Sequence, residues 1–255
     1  MTGLGPELKF LPLLKALPAS IRAELLQNAV LHAVAPGTVL FEQGETPTFQ
    51  HVVLAGSAHL LGRSSAGREV LIEVVEPPDL IIPAAVATGS PYLMRARVPE
   101  PSRLLLIHAG VFRRAVLREP LLAQEVIGSL AGQFRRLVRQ IKNLKLRTAT
   151  ERVGCYLLAL SKRQGTPHCA ILPYEKNLIA SELGMTRESF SRALSALESG
   201  GITVQDEMIT IRDAKHLAAA CGRDPLIDGP DGSLQAQEAA PTRPPGKTRS
   251  RRSHG

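Results

Sequence analysis

Residues 185–197 read MTRESFSRALSAL, and this stretch decides the fold. It follows an apolar segment, Asn177 to Leu183, and a glycine, Gly184. The pattern predicts helix, tight turn, helix. A glycine accepts the backbone a tight turn needs, and the Thr186 hydroxyl can accept from the first free N–H groups of the second helix. Phe190, Leu194 and Leu197 recur at i, i+4 and i+7 and predict one buried face. Arg187, Glu188, Ser191 and Arg192 fall away from that stripe, at the helix N-terminal end. In a helix-turn-helix this end enters the major groove. An arginine fork matches guanine and a glutamate accepts from the cytosine amino group, so these residue types can read base edges of double-stranded DNA. A generic helical hairpin with a solvated polar face is the alternative this stretch alone leaves open.

Outward from that hairpin the pattern extends in both directions. Ile202-Thr203-Val204, then Asp206-Glu207, then Met208 to Ile211 predict a two-stranded wing. Arg152 to Leu160 predicts a preceding helix, and Glu175 to Leu183 and Thr186 to Glu198 predict the hairpin pair. Residues 149–222 therefore read as a winged helix-turn-helix. Residues 223–255 are rich in Pro, Gly, Ser and Arg and are expected to form a disordered basic tail. Its Lys247, Arg249, Arg251 and Arg252 can touch phosphates nonspecifically, and an inert solubilising tail is the alternative.

Upstream, a long helical pattern begins near Pro120. Ile127, Leu130, Phe134, Leu137, Ile141, Leu144 and Thr148 alternate at spacings of three and four, a heptad seam. It predicts a parallel dimerisation helix over 119–148; packing on its own domain is the other reading. Arg135, Arg136, Arg139 and Lys142 avoid the seam, and the basic run is expected to be a solvated face that adds long-range attraction to DNA. From about 34 to 110, short apolar runs such as Thr38 to Phe41, His51 to Leu54, His59 to Leu61, Glu69 to Val75 and Arg103 to Ile107 are separated by turn residues. Strands at this spacing predict a small β-barrel or sandwich. Residues 1–32 are expected to hold short helices, the second running from Ile21 to Val30. The fold class is thus α+β: a small β-barrel or sandwich with N-terminal helices over 1–118, the long helix, then the winged domain.

Composition narrows the function classes. The 255 residues are 44% hydrophobic and 21% charged with a formal net charge of +8, which suits a polyanionic partner. With 4% aromatics and no Trp, a base-stacking platform for single strands is poorly supported. Cys155, Cys169 and Cys221 form no CxxC pair, and an odd count argues against a secreted disulfide scaffold. No apolar run approaches the roughly 18 residues needed to span a bilayer, and Glu7 and Lys9 interrupt the short apolar N-terminal stretch. The expectation is a cytoplasmic protein with no membrane contact. No nucleophile–base pair, metal-ligand spacing or phosphate loop supports an enzyme, so an enzyme's cyclic-nucleotide-type regulatory subunit is the minor alternative.

The chain resembles the Crp/Fnr superfamily of bacterial transcription regulators. Three stretches carry the resemblance: GTVLFEQGE at 37–45, Val53-Leu54-Ala55-Gly56, and Leu178 to Leu197. It covers about residues 10–222 and implies a cyclic-nucleotide-binding-like roll, a homodimer on an inverted repeat, and contact with RNA polymerase. Glu188, Ser191 and Arg192 are similar to the Fnr-type reader of TTGAT half-sites, whereas Arg187 ahead of the glutamate is more like the cyclic-AMP-receptor branch. By the same resemblance, cyclic-AMP binders hold ribose and phosphate with a Gly-Glu and an Arg-Ser pair. Here Ile82-Pro83 and Tyr92-Leu93 stand at those places, so cyclic AMP is not expected. With no cysteine before Cys155, an N-terminal iron–sulfur cluster is not expected either.

Two switches are left. One is an apolar or haem-borne signal such as nitric oxide, as in the denitrification-regulating branch and consistent with control of anaerobic or nitrogen-oxide metabolism. Tyr92, Leu93 and Met94 would wall its pocket, and His32, His51, His59 and His108 are the candidate axial ligands, although a lone histidine is more often structural. The other has no ligand, with activity set by expression level or by thiol redox state at Cys155, Cys169 or Cys221.

Overall fold

The computed structural model describes residues 8, 11–15, 17–65, 67, 69–173 and 175–228. Two short helices, α1 (Pro12–Lys15) and α2 (Ala19–Gln27), lead into eight strands: β1 (Ala29–Val34), β2 (Val39–Phe41), β3 (Phe49–Ala55), β4 (Ala58–Arg63), β5 (Glu69–Val75), β6 (Asp79–Ile81), β7 (Arg95–Arg97) and β8 (Ser102–His108). A short helix, α3 (Pro83–Thr88), sits between β6 and β7, and α4 (Ala109–Arg118) follows β8. The strands form two four-stranded sheets, ordered β1-β8-β3-β6 and β2-β7-β4-β5.

The inner strands of the first sheet, β3 and β8, are buried on both faces, while its edge strand β1 is largely exposed. Val52 pairs with Leu105 and Val53 with Leu104 across β3 and β8. Successive side chains point to opposite faces. Val53 and Leu104 therefore join the core between the sheets with Phe41, Leu60 and Ile81, while Val52 and Leu105 join a second core with Leu14, Leu25, Phe112 and Leu122. Double burial is why these strands read as unbroken apolar runs.

The expected helix from Ile21 to Val30 ends earlier. α2 stops at Gln27, and Ala29–Val34 pairs antiparallel with β8, Ala29 opposite Ile107. Edge pairing and the Val30-Leu31 step favour strand over another helical turn.

The long helix, α5, spans Pro120–Leu146 and carries two heptad stripes. One, Leu122, Val126, Ser129, Gln133, Arg136 and Gln140, faces the roll. Leu122 and Val126 are buried there. Ser129 donates to Asp79 at 2.7 Å, Gln133 to the Leu80 carbonyl at 2.9 Å, and Gln140 to the Ile72 carbonyl at 3.1 Å. Arg136 donates to Glu73 and Asp79 at 2.8 and 2.9 Å. The other stripe is the apolar seam, and it stands open: Phe134 is 67% exposed, with Ile127, Leu137, Ile141 and Leu144 also exposed and Leu130 partly buried. Thr148 is not part of it. The helix ends at Leu146, and Thr148 instead caps the next helix, its hydroxyl accepting from the Glu151 N–H. The basic run is not a simple solvated face either, because Arg136, Lys142 and Arg147 are each ion-paired within the chain.

Beyond α5 lie α6 (Ala149–Arg163), β9 (Cys169–Ile171), α7 (Lys176–Glu182), α8 (Arg187–Ser199), β10 (Ile202–Gln205), β11 (Met208–Ile211), α9 (Ala214–Ala220) and α10 (Pro225–Asp228). Their shared core holds Val153, Leu157, Ile179, Phe190, Leu194, Ile209 and Leu217. The wing is a three-stranded sheet, β10-β11-β9, where the sequence predicts two strands. Order continues past residue 223, the expected start of the tail, through α10 to Asp228; the terminal cations of the tail lie outside the described residues.

Candidate nucleic-acid interface

The turn between α7 and α8 is a Schellman closure. Met185 N–H donates to the Ala180 carbonyl and Gly184 N–H to the Ser181 carbonyl, with Gly184 at φ +63°. A side chain at 184 would be strained twice over: its Cβ would also fall 2.3 Å from the Leu144 methyl at the end of α5. The glycine thus serves both the turn and the seat of this domain against the long helix.

α8 begins as its sequence demands. Thr186, with extended backbone, accepts from the Ser189 N–H at 3.2 Å. Phe190, Ala193, Leu194 and Leu197 are buried, which rotates the polar side outward. Thr186, Arg187, Glu188, Ser191 and Arg192 are all exposed and share the first two turns. Glu188 is held below the usual carboxylate range by its own backbone N–H, then by the Thr186 hydroxyl and by Arg187 and Arg192. Ser189, not anticipated from the sequence, organises the group: its hydroxyl accepts from Arg192 at 3.1 Å while its N–H is held by Thr186. The result is an exposed turn at the positive end of a helix dipole, with two guanidinium groups and a carboxylate presented together. On the wing, Arg212 donates to the Thr203 hydroxyl at 2.9 Å.

The other candidate residues do not converge. Tyr92 is core: it stacks on Phe41 with centroids 3.6 Å apart, donates to the Phe49 carbonyl, and burial raises its phenol to about 12. Leu93 is 82% exposed and so does not wall a pocket, and Met94 is half-buried beside the inter-sheet core. The three residues are split because an extended segment turns successive side chains to opposite sides. At the other family position, Ile82 opens α3 at φ +43° ahead of buried Pro83. The histidines are scattered over β1, β3, β4 and the start of α4. His51 is buried against Phe41 with its pKa lowered to about 4 by desolvation, and burial also lowers His59. His32 is exposed, and His108 caps α4 by accepting from the Gly110 N–H. Cys155 donates to the Cys221 carbonyl at 3.4 Å, and burial pushes its thiol up to about 12; Cys221 is raised for the same reason. Neither forms a ready thiolate. Among the described residues no group of three or more His, Cys, Asp or Glu is arranged to hold a metal ion, and no helix is long and apolar enough to cross a membrane.

Residues 31–119 match the cyclic nucleotide-binding domain family and residues 151–220 the Crp-like helix-turn-helix domain family. A solved regulatory protein from Silicibacter pomeroyi DSS-3, provisionally described as cAMP-binding, is 31% identical over 82% of this chain and 94% of its own, with a TM-score of 0.53. The chain belongs to the Crp/Fnr family. Among curated Crp/Fnr relatives, the nitrogen fixation regulation protein FixK of Azorhizobium caulinodans is 28% identical over 73% of this chain and 75% of its own length. The fold also matches a solved protein of Eubacterium rectale ATCC 33656 assigned to the Crp/Fnr family: TM-score 0.69, 21% identity, 83% and 98% coverage. A Crp/Fnr chain is a transcription regulator, and this one carries the family's DNA-binding helix-turn-helix. The family is one of regulators, not enzymes.

Proposed function

We propose that this Crp/Fnr regulator works as a homodimer that reads an inverted-repeat, TTGAT-like operator through Thr186, Arg187, Glu188, Ser191 and Arg192. One observation carries the reading: the same chain exposes a capped polar turn on α8 and an uncovered apolar heptad stripe on α5. An exposed seam of Ile127, Phe134, Leu137, Ile141 and Leu144 is costly in water and is covered by pairing with its own copy. Pairing would set two reading helices about one DNA turn apart. The division into roll (1–118), dimer helix (119–148) and reading head (149 onward) is part of this proposal, as is recruitment of RNA polymerase in the cytoplasm. Selection of binders from random duplexes, followed by footprinting, tests it. An enriched inverted repeat protected on two successive major grooves is expected; a single half-site, or no enrichment, overturns it.

A second reading concerns the switch, and the Phe41–Tyr92 stack favours it. A hydroxyl-bearing ring bonded to a backbone carbonyl, a buried proline and an exposed leucine do not fit a cyclic nucleotide, which needs a cation for its phosphate. The polar stripe of α5 is already bonded to β5 and β6, so the roll and the long helix hold together through the chain's own groups. We therefore favour DNA binding set by expression level over a haem-borne signal or thiol redox control. Operator affinity that is unchanged by added cyclic AMP, and by haem with nitric oxide, is the expected result. A tenfold or larger response (about 1.4 kcal/mol) to either would reverse the preference.

A further inference from the structure

The link between α5 and α6 is two residues long, Arg147 and Thr148. Arg147 has extended backbone, φ −120° and ψ 142°, and Thr148 already caps α6. Nothing in such a link fixes the angle between the two helices, since φ and ψ of one or two residues absorb the change when domains swing.

Yet the Arg147 side chain is 5% exposed. Its two terminal nitrogens meet the two Asp228 carboxylate oxygens, one at 2.9 Å and one shorter. The same guanidinium donates to Asn143 on α5 at 3.1 Å and to the Gly222 carbonyl at 3.2 Å. Asp228 in turn accepts from the Asp224 N–H at 2.8 Å, closing α10, and Asp224 receives Lys142 of α5 at 3.4 Å. Arg152 of α6 donates to the Arg147 carbonyl at 3.0 Å. One buried guanidinium therefore bonds to α5, to the connection after α9 and to α10. A fork on a carboxylate fixes direction as well as distance. The segment lies beyond the helix-turn-helix match, which ends at residue 220. On the neighbouring side, a cleft of about 660 Å³ lies between β5, α5 and α6, and beyond it α7 meets β5 through the Leu71 N–H, which donates to the Ser181 hydroxyl at 3.0 Å; the strap is the tether on the opposite side.

We propose that Gly222–Asp228 is a strap that fixes the angle of the reading head on α5, with Arg147 and Asp228 as its positioning residues. The consequence for DNA rests on the homodimer reading above. If two heads must meet two half-sites, a strapped link fixes their separation, and one added base pair displaces a half-site by about 3.4 Å along the axis. A released link tolerates that displacement.

Asp228→Asn tests this with two readouts on the full-length protein. The first needs no DNA: trypsin cleavage after Arg147, mapped by mass spectrometry, should accelerate about tenfold because a buried arginine has lost its anionic partner. The second is affinity for inverted repeats whose half-sites are spaced at the optimum and one base pair wider. The wild-type protein should lose about tenfold on the wider site and the variant less than about threefold. Reduced affinity with an unchanged spacing profile would mark Asp228 as merely structural and overturn the proposal, as would cleavage at the wild-type rate. A wild-type protein with no spacing optimum would instead defeat the homodimer reading, and the cleavage result would still decide the strap. Arg147→Lys keeps the charge but loses the fork. It should widen the spacing tolerance partway, and it serves in place of Asp228→Asn should that variant not fold.

Discussion

α5 and α8 are both amphipathic, and they dispose of their faces in opposite ways. α8 buries its apolar stripe, Phe190, Leu194 and Leu197, in its own domain and shows solvent its polar one. α5 docks a mostly polar stripe, Ser129, Gln133, Arg136 and Gln140, on its own roll and leaves Ile127, Phe134, Leu137 and Ile141 uncovered. The first is the ordinary economy of a globular domain, in which apolar area is buried at about 25 cal/mol per Å². The second makes sense for a helix whose apolar surface is reserved for another chain, while hydrogen bonds and ion pairs keep it seated meanwhile. An apolar stripe says which face must be covered, not by what.

Five substitutions probe this contrast, the first paired with its exposed-site control and the rest following in order of expected size. Phe190→Ala should cost about 3–5 kcal/mol of stability in the reading head, measured by denaturant unfolding, because it hollows a closed core. Phe134→Ala is the same chemical change at an exposed site, and in the isolated monomer it should cost within about 0.5 kcal/mol; equal losses at both sites would erase the distinction between the helices. Leu137→Glu should give monomers in sedimentation and weaken operator binding by about a hundredfold or more, since the second head no longer binds at high effective concentration. A persistent dimer would mean that α5 covers its stripe in some other way. Arg192→Ala should flatten discrimination at one base position by about 1–3 kcal/mol while the protein stays folded, read by competition with base-substituted duplexes. Arg136→Ala strands Glu73 and Asp79, whose side chains are 11% and 20% exposed. With Arg136 itself 35% exposed and screened by solvent, a loss of about 1 kcal/mol in thermal unfolding is expected. No loss would reduce the polar stripe to incidental contacts.

What the sequence made legible follows the range of the interactions. The α7–turn–α8 hairpin depends on local chemistry: Gly184 at the turn, Thr186 as cap, Phe190 and Leu194 at helical spacing. All of that can be read along the chain. The seam of α5 was equally visible up to Leu144, and failed at Thr148 because capping the next helix outcompeted one more heptad position. β1 was missed because its partner, β8, lies more than seventy residues away and pairing overrode a local helical pattern. The strap was hidden for a sharper reason. Gly222 to Asp228 carries turn residues and charge, the signature of a loose tail, and it is bonded to Arg147, which lies 81 residues before Asp228 in the chain. The Tyr92-Leu93-Met94 wall failed because residue type alone does not say which side of an extended segment faces inward.

The central claim is that two copies of this chain hold one operator through paired α5 stripes. Sedimentation equilibrium of the complex with a selected inverted-repeat duplex measures it directly. Two chains per duplex for the wild-type protein, falling to one weakly held chain for Leu137→Glu, is the predicted result. One chain per duplex for the wild-type protein, bound as tightly to a single half-site as to the repeat, would contradict it.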